Sequence, residues 1–211
     1  MFSLADRRLY LCVGMRDDMA EFLPAVITGG IDIVQLREKV LPFSEQRATA
    51  LLMATICQEF GVPFIVNDNP ELALEVRADG VHVGQDDLSV TAVRDLMGPE
   101  AIIGLSTHEP EEFTGGLATS ATYLSAGPIA ATPTKPGRAG VGLNYAVEST
   151  QRANRPVYVT GGVTEHNIGG YVHSGLRHFV VVRAITEAAD PGNAARLLRT
   201  ALDAALSAVT I

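Results

Sequence analysis

The sequence predicts a (β/α)8 barrel. Three observations carry that expectation: eight short strand-like runs, a helix-length amphipathic stretch after each, and a weak repetition in the way the runs are entered. "GGIDIVQL", "RADGVHVG", "TSATYLSAG" and "SGLRHFVVV" lead into a strand through a small residue, whereas "GVPFIVN", "GPEAIIGLS" and "NRPVYVTGG" enter through Pro. A doubly wound open sheet has fewer strands, roughly five to seven, and a single Gly-rich first turn, so it fits less well.

Taken in order, the strand candidates are Leu9 to Val13, Asp32 to Leu36, Phe64 to Val66, Gly80 to Val83, Ile102 to Leu105, Tyr123 to Ala126, Val157 to Thr160 and His178 to Val182. Helices are expected near 18–28, 44–60, 70–76, 89–97, 109–119, 143–152, 165–174 and 191–207. Ser44, Asn69 before Pro70 and Asp190 before Pro191 have the character of N-caps, whose short side-chain oxygens satisfy the first free amides of a helix. No linker or low-complexity tract divides the chain, so residues 1–211 are expected to form one barrel domain. The long irregular stretch "GPIAATPTKPGRAGVG" follows the sixth strand, and its length and Gly/Pro content mark 127–141 as the candidate mobile loop.

Hydrophobic residues make up 47% and charged residues 19%, a globular balance. No segment approaches the roughly 20 apolar residues of a membrane helix, and "MFSLADRRLY" lacks the apolar core of a signal peptide, so a soluble, cytoplasmic protein is expected. A net charge of -8 argues against a nucleic-acid surface, and the oligomeric state stays open. An anionic ligand must then meet a local cluster of bases. Cys12 and Cys57 have neither disulfide nor zinc spacing and read as small buried residues.

In such a barrel the chemistry gathers where strands end. In "DIVQLREK", period two puts Ile33, Gln35, Arg37 and Lys39 on one side and Val34, Leu36 and Glu38 on the other, so the polar set is aimed at the barrel mouth. Two cations at that spacing suit a diphosphate, Arg gripping oxygens bidentately and Lys adding a point charge; a solvated charge run is the plain alternative. The third and fourth strands end on Asn67-Asp68 and Asp86-Asp87. Neighbouring strands bring these acids together, and two close carboxylates raise one another's pKa unless a cation lies between them. Magnesium suits such a pair, because it takes one or two carboxylates and completes its shell with water and phosphate oxygens. Helix capping by Asn69 and Asp87 explains one polar residue on each loop, not the doubling.

Ser106, at the end of "IIGLSTH", is placed to hydrogen-bond a ligand; no base pairs with it in a hydrolase arrangement and no G-x-S-x-G is present. Thr107 or His108 is a candidate cap for the next helix. "TPTKPGR" offers Thr132, Thr134 and Lys135, "TGGV" places Gly161 and Gly162 after the seventh strand, and Val182-Arg183 closes the eighth, a region that recurrently holds phosphate in this fold. His82 alternates with Val81 and Val83 and reads as a satisfied core imidazole; His108, His166, His173 and His178 read as surface or capping residues. The first strand has no polar residue with an evident role.

Taken together, "QLREK", "VND" followed by "GVHVGQDD", "GLSTH", "GPI" with "TPTK", "TGGV" and "VVVRAI" resemble the thiamine-phosphate synthase family, in order from Leu9 to about Pro191. The resemblance implies a (β/α)8 transferase that joins a hydroxymethylpyrimidine diphosphate to a hydroxyethylthiazole phosphate and releases diphosphate. It implies that Gln35 to Lys39, including Leu36 and Glu38, together with Asn67, Ser106 and Lys135, meet the pyrimidine diphosphate. Arg37, Lys39, Ser106 and Lys135 would act in catalysis, Asp68 and Asp87 would bind Mg2+, and Thr132, Thr134, Gly162, Val182 and Arg183 would receive the thiazole phosphate. Many relatives carry Ser where this chain has Arg183. Two other readings remain open at this point: a TenI-type thiazole phosphate tautomerase, which needs the thiazole pocket alone, and a non-catalytic phosphate-ligand sensor.

Overall fold

The structure is a computed structural model that describes residues 2–132, 137 and 139–209, apart from the side chains at 43 and 44. Eight parallel strands form a closed barrel in chain order. They are β1 (Leu9–Val13), β2 (Ile33–Leu36), β3 (Phe64–Asn67), β4 (Gly80–Val83), β5 (Ile102–Thr107), β6 (Tyr123–Ala126), β7 (Val157–Val159) and β8 (His178–Val181). The ring closes where Leu9, Tyr10 and Leu11 pair with Phe179, Val180 and Val181.

The helices are α1 (Met19–Thr28), α2 (Phe43–Phe60), α3 (Pro70–Glu75), α4 (Val90–Met97), α5 (Pro110–Leu117), α6 (Gly142–Arg152), α7 (Ile168–His173), a short α8 (Arg183–Thr186) and α9 (Pro191–Val209). Ala195, Leu198, Leu202 and Ala205 recur along α9 at helical spacing, and this buried stripe packs α9 against both α1 and α7, completing the outer ring.

Local chemistry explains where the boundaries differ from expectation. The helix expected from 165 begins at Ile168, because the Asn167 side chain accepts from the Thr164 amide and donates to the Gly162 carbonyl, holding 164–167 as a turn. β5 runs on to Thr107, whose buried hydroxyl donates to the Ser125 carbonyl, so Thr107 is a strand residue and caps nothing. Asn69 and Asp190 cap their helices as expected, accepting from Leu72 N and Asn193 N. Ser44 falls inside α2, which begins at Phe43 with Pro42 in the cap position. Asp87 is no cap either: Ser89 accepts from Ala92 N at the start of α4. The segment after β8, read from sequence as a turn, includes one helical turn, α8.

Period two separates two cores. Leu9, Leu11, Val34, Leu36, Val81, Val83, Leu124 and Phe179 face the helices, while Tyr10, Ile33, Ile65, Ile102, Tyr123 and Tyr158 fill the barrel interior. The three interior tyrosines pack edge to face, with ring centroids 5.2 to 5.8 Å apart. Leu4 closes this inner core from the N-terminal side. Cys57 lies on the buried face of α2, where burial pushes its thiol up to about 12 and leaves it an inert packing group at neutral pH.

Asp32 ties the barrel bottom together. One carboxylate oxygen accepts from the Arg8 and Leu9 amides, at 2.7 and 3.0 Å, and from the Arg199 guanidinium of α9. Removing it leaves the start of β1 without its side-chain acceptor and takes a carboxylate from the partly buried Arg199, which keeps the Gly30 carbonyl and Asp203. We expect Asp32→Ala to lower the unfolding free energy by about 2–3 kcal/mol, read from urea melts, with an unchanged far-ultraviolet dichroism spectrum. A loss below about 0.5 kcal/mol contradicts this role.

Candidate active site

Every strand points its C-terminal end at the same rim, and there the barrel opens into a cavity of about 650 Å³. Gln35, Arg37, Lys39, Asn67, Asp68, Asp87, Ser106, Thr132, Gly162, Val182 and Arg183, singled out from sequence on seven different strand ends, all line it. Thr134 and Lys135 lie outside the described residues, as does part of the 127–141 loop. Leu36 and Glu38 do not face the cavity. Leu36 is buried between sheet and helices, and Glu38 folds back so that one carboxylate oxygen accepts from the Lys39 and Val40 amides.

The charged side is built by β2, β3 and β4. Lys39 Nζ lies 2.8 Å from Asp68 Oδ2, and the Asp87 carboxyl is within hydrogen-bonding reach of Asp68. Partial burial pushes the Asp68 carboxyl up; the Lys39 ammonium opposes this, and Asp87 adds to it, so the net displacement is upward. Asp87 is anchored through its own Oδ2, which accepts from Gly84 N at 2.7 Å. Asp68 sits at φ 60°, a left-handed conformation that a non-glycine residue adopts at a cost of about 1 kcal/mol or more. The strain turns the chain sharply after β3. It accompanies a carboxylate aimed at the cavity.

Opposite, Gly161 and Gly162 follow β7 at φ 105° and 75°. A Cβ on Gly161 would lie 2.5 Å from the Ile129 backbone nitrogen, so this residue lets the β7 loop pass against the β6 loop. Thr132, Thr164, Val182 and Arg183 line the same end. Arg183 is half-exposed, with a guanidinium nitrogen 3.7 Å from Glu187.

The cavity floor holds what sequence reading missed. Cys12 donates to Gln35 Oε1 (3.1 Å), Gln35 Nε2 donates to Tyr10 Oη (2.8 Å), and the Tyr10 and Tyr123 hydroxyls meet at 2.8 Å. Tyr123 Oη then reaches His82 Nδ1 at 2.9 Å, and His82 Nε2 reaches Ser106 Oγ at 2.8 Å. Contrary to the sequence expectation, Ser106 therefore has an imidazole partner. The far side of that ring meets a phenol, not a carboxylate, so a Ser-His-Asp arrangement is absent at this position. Gly104, between His82 and Tyr123 in the sheet, has to be glycine: a Cβ there would lie 2.1 Å from the Tyr123 ring and 2.4 Å from His82 Nδ1.

The first strand, read as having no functional residue, contributes Tyr10 and Cys12 to this floor. Their alternation with Leu9, Leu11 and Val13 signals the inward face and nothing of their bonding. His108, read as surface or cap, lines the cavity with Nδ1 2.9 Å from Glu112 Oε2. His178 is half-buried at the barrel bottom, bonded to the Ala5 carbonyl, and burial lowers its pKa. His82 is a satisfied core imidazole, as expected.

No helix among the described residues is long and apolar enough to cross a membrane. A family model described as thiamine monophosphate synthase matches residues 9–185. The thiamine-phosphate synthase of Acidothermus cellulolyticus is 42% identical over 208 residues, covering 96% of this chain and 98% of its own. That of Mycobacterium tuberculosis is 39% identical over 216 residues, covering 96% and 97%. The solved structure of thiamine phosphate pyrophosphorylase from Pyrococcus furiosus matches with a TM-score of 0.86 at 27% identity, covering 95% of this chain and 98% of that one. By family model, full-length sequence identity and fold alike, the chain belongs to the thiamine-phosphate synthase family.

Proposed function

We propose that this cavity joins a pyrimidinylmethyl diphosphate to a thiazole phosphate, giving thiamine phosphate and diphosphate, a reading supported by relatives that are named thiamine-phosphate synthase. The observation that carries the reading is a single cavity with two separate ends suited to anions. Arg37, Lys39 and the Asp68–Asp87 pair form one, and the Gly162 and Val182–Arg183 turns form the other. A tautomerase acting on the thiazole phosphate alone leaves the first end without a task.

The donor set at that first end fits magnesium. Two facing carboxylates offer hard oxygen ligands, and their mutual repulsion is relieved by a divalent ion. Among the described residues no group of three or more His, Cys, Asp or Glu side chains could hold a metal alone, so substrate phosphate oxygens and water would complete the shell. When bound, the ion neutralises charge on the diphosphate as it departs. Arg37 and Lys39 hold the same diphosphate from the cavity wall, and Asn67 and Gln35 orient the pyrimidine part. Lys135 is assigned to this group by its place in the family pattern and lies outside the described residues.

The chemistry asks for charge stabilisation and alignment. The bond between the pyrimidine methylene carbon and the diphosphate oxygen breaks, its electron pair leaving with diphosphate, and the thiazole nitrogen lone pair forms the new C–N bond. No side-chain nucleophile is required, which agrees with the pairing of Ser106 through a phenol-bound imidazole. Thr132, Gly162 and the Val182–Arg183 turn hold the thiazole phosphate in line, converting a two-substrate encounter into a positioned reaction. Where relatives carry Ser, Arg183 adds a cation at the rim. Localisation in the cytoplasm is part of this reading, supported by two cysteines with no disulfide between them.

Purified protein given both substrates and magnesium should form thiamine phosphate, with activity lost on chelation and restored by added metal; no product across a range of magnesium concentrations rules the reading out. Lys39→Ala should raise KM for the pyrimidine diphosphate about 10- to 100-fold and leave that for the thiazole phosphate within about twofold. Equal effects on both would remove the division of the cavity.

Asp68→Asn should lower kcat on the order of 10²-fold and at the same time raise the melting temperature of the metal-free protein at pH 7. The folded-state carboxyl lies above its ordinary value, so ionisation opposes folding. That penalty is complete above the folded-state pKa and vanishes below the ordinary carboxylate value of about 3.9. The advantage of the amide variant should therefore shrink as pH falls toward about 4. Thermal melts across pH, with an advantage that persists unchanged in acid, would tell against the strained carboxylate pair.

A further inference from the structure

We infer that the cavity floor is a directed hydrogen-bond relay, in which Tyr123 and His82 are positioning residues that turn the Ser106 hydroxyl into a donor aimed at the substrate. The inference rests on the proposed reaction only for the identity of the group that Ser106 meets. Its direction follows from counting hydrogens.

Both phenols are fully buried, and burial raises both far above neutrality, so each keeps its proton. Gln35 Nε2 carries hydrogens only and donates to Tyr10 Oη. The Tyr10 hydrogen is then directed to its other polar neighbour, Tyr123 Oη. The Tyr123 hydrogen in turn goes to His82 Nδ1. A ring nitrogen that accepts has no hydrogen, so His82 carries its proton on Nε2 and donates it to Ser106 Oγ. Ser125 Oγ also faces Ser106 Oγ, at a long 3.5 Å. With its oxygen engaged as an acceptor, Ser106 has its own hydrogen to place in the cavity that it lines.

The opposite polarity requires the Gln35 amide to turn over and Cys12 to accept from it. Sulfur is a poor acceptor, whereas a thiol donating to the amide oxygen at 3.1 Å satisfies both groups. Cys12 therefore sets the sense of the chain at one end and Ser106 delivers it at the other. Gly104 belongs to the device, since any Cβ there would collide with both His82 and Tyr123.

In the proposed reaction the departing diphosphate oxygen gains negative charge as its bond to carbon breaks. A hydroxyl already turned to donate stabilises that oxygen more in the transition state than in the bound substrate. Loss of the relay should thus appear in kcat and not in KM.

Two measurements test this. Long-range proton–nitrogen correlation spectra of the substrate-free protein, with the His82 signals identified by their loss in His82→Asn, should show His82 protonated on Nε2 with Nδ1 an acceptor. Protonation on Nδ1 overturns the relay. In steady-state kinetics Tyr123→Phe should lower kcat about tenfold, one net hydrogen bond, with both KM values within about twofold. An unchanged kcat, or a raised KM with kcat preserved, overturns the positioning role. If Tyr123→Phe does not fold, the tautomer decides alone. Because that spectrum needs no substrate, it can fail while wild-type protein still makes product, and failure to make product leaves the tautomer standing.

Discussion

The ladder that joins β1 to β8 makes a ring of the sheet, and the placement of every functional group follows from that closure. Parallel strands in a closed ring end on one rim, so side chains far apart in sequence, Lys39 and Arg183 among them, line one cavity. Closure also divides each strand's side chains between two environments. Aliphatic residues face outward to the helices and are replaceable in kind. Interior positions converge on a narrow axis, where each large side chain must fit the others. Gly104 has no side chain because Tyr123 and His82 use the space that one would fill.

From floor to rim the cavity changes character. At the bottom, Ile33, Ile65, Ile102 and the tyrosine rings form an apolar plug. Above it lies the polar chain from Cys12 to Ser106, whose members are buried yet bonded to one another, as a low-dielectric interior demands. At the rim are groups that carry charge, Arg37, Lys39, Asp68, Asp87 and Arg183 among them. Charges there retain contact with solvent and a polyionic ligand can reach them. The Asp68–Asp87 pair is the costly part of this arrangement. Asp68 sits in a left-handed backbone conformation, and its carboxyl is pushed upward by burial and by a like neighbour. Arg77, at the turn after α3, is also left-handed and lies outside the cavity, so it is the pairing of backbone strain with a like-charged, partly buried neighbour that sets Asp68 apart and marks function working against stability.

Some of the site could be read directly from the chain. Arg37, Lys39, Asp68 and Asp87 stand immediately after apolar runs, so knowing that the strands are parallel was enough to bring them together. The glycine turn after β7 was visible for the same reason. His82 was visible as a core imidazole, but its partners were not, because Tyr123 lies 41 residues away and only the register of β4, β5 and β6 brings the two together. Tyr10 and Cys12 looked like ordinary core residues of β1. Their roles depend on what β2 and β6 present across the barrel, and no local pattern encodes that. His108 read as a surface or capping residue, whereas α5 turns its carboxylate partner, Glu112, toward the cavity, and the pair lines it.

By itself, the sequence determined the number and order of the strands and of the longer helices, the faces of each strand and the residues at each strand end. These are local matters, decided by hydrophobic period, Gly and Pro positions and capping. It also carried an ordered set of motifs specific enough to identify the family. Tertiary structure decided which interior groups touch: that Ser106 has an imidazole, that Asp87 is held by Gly84 and not spent as a cap, and that Leu36 and Glu38 turn away from the cavity. The physical reason is that a hydrogen bond requires two partners within about 3 Å. Across a barrel that distance is set by strand register and packing, which no single strand contains.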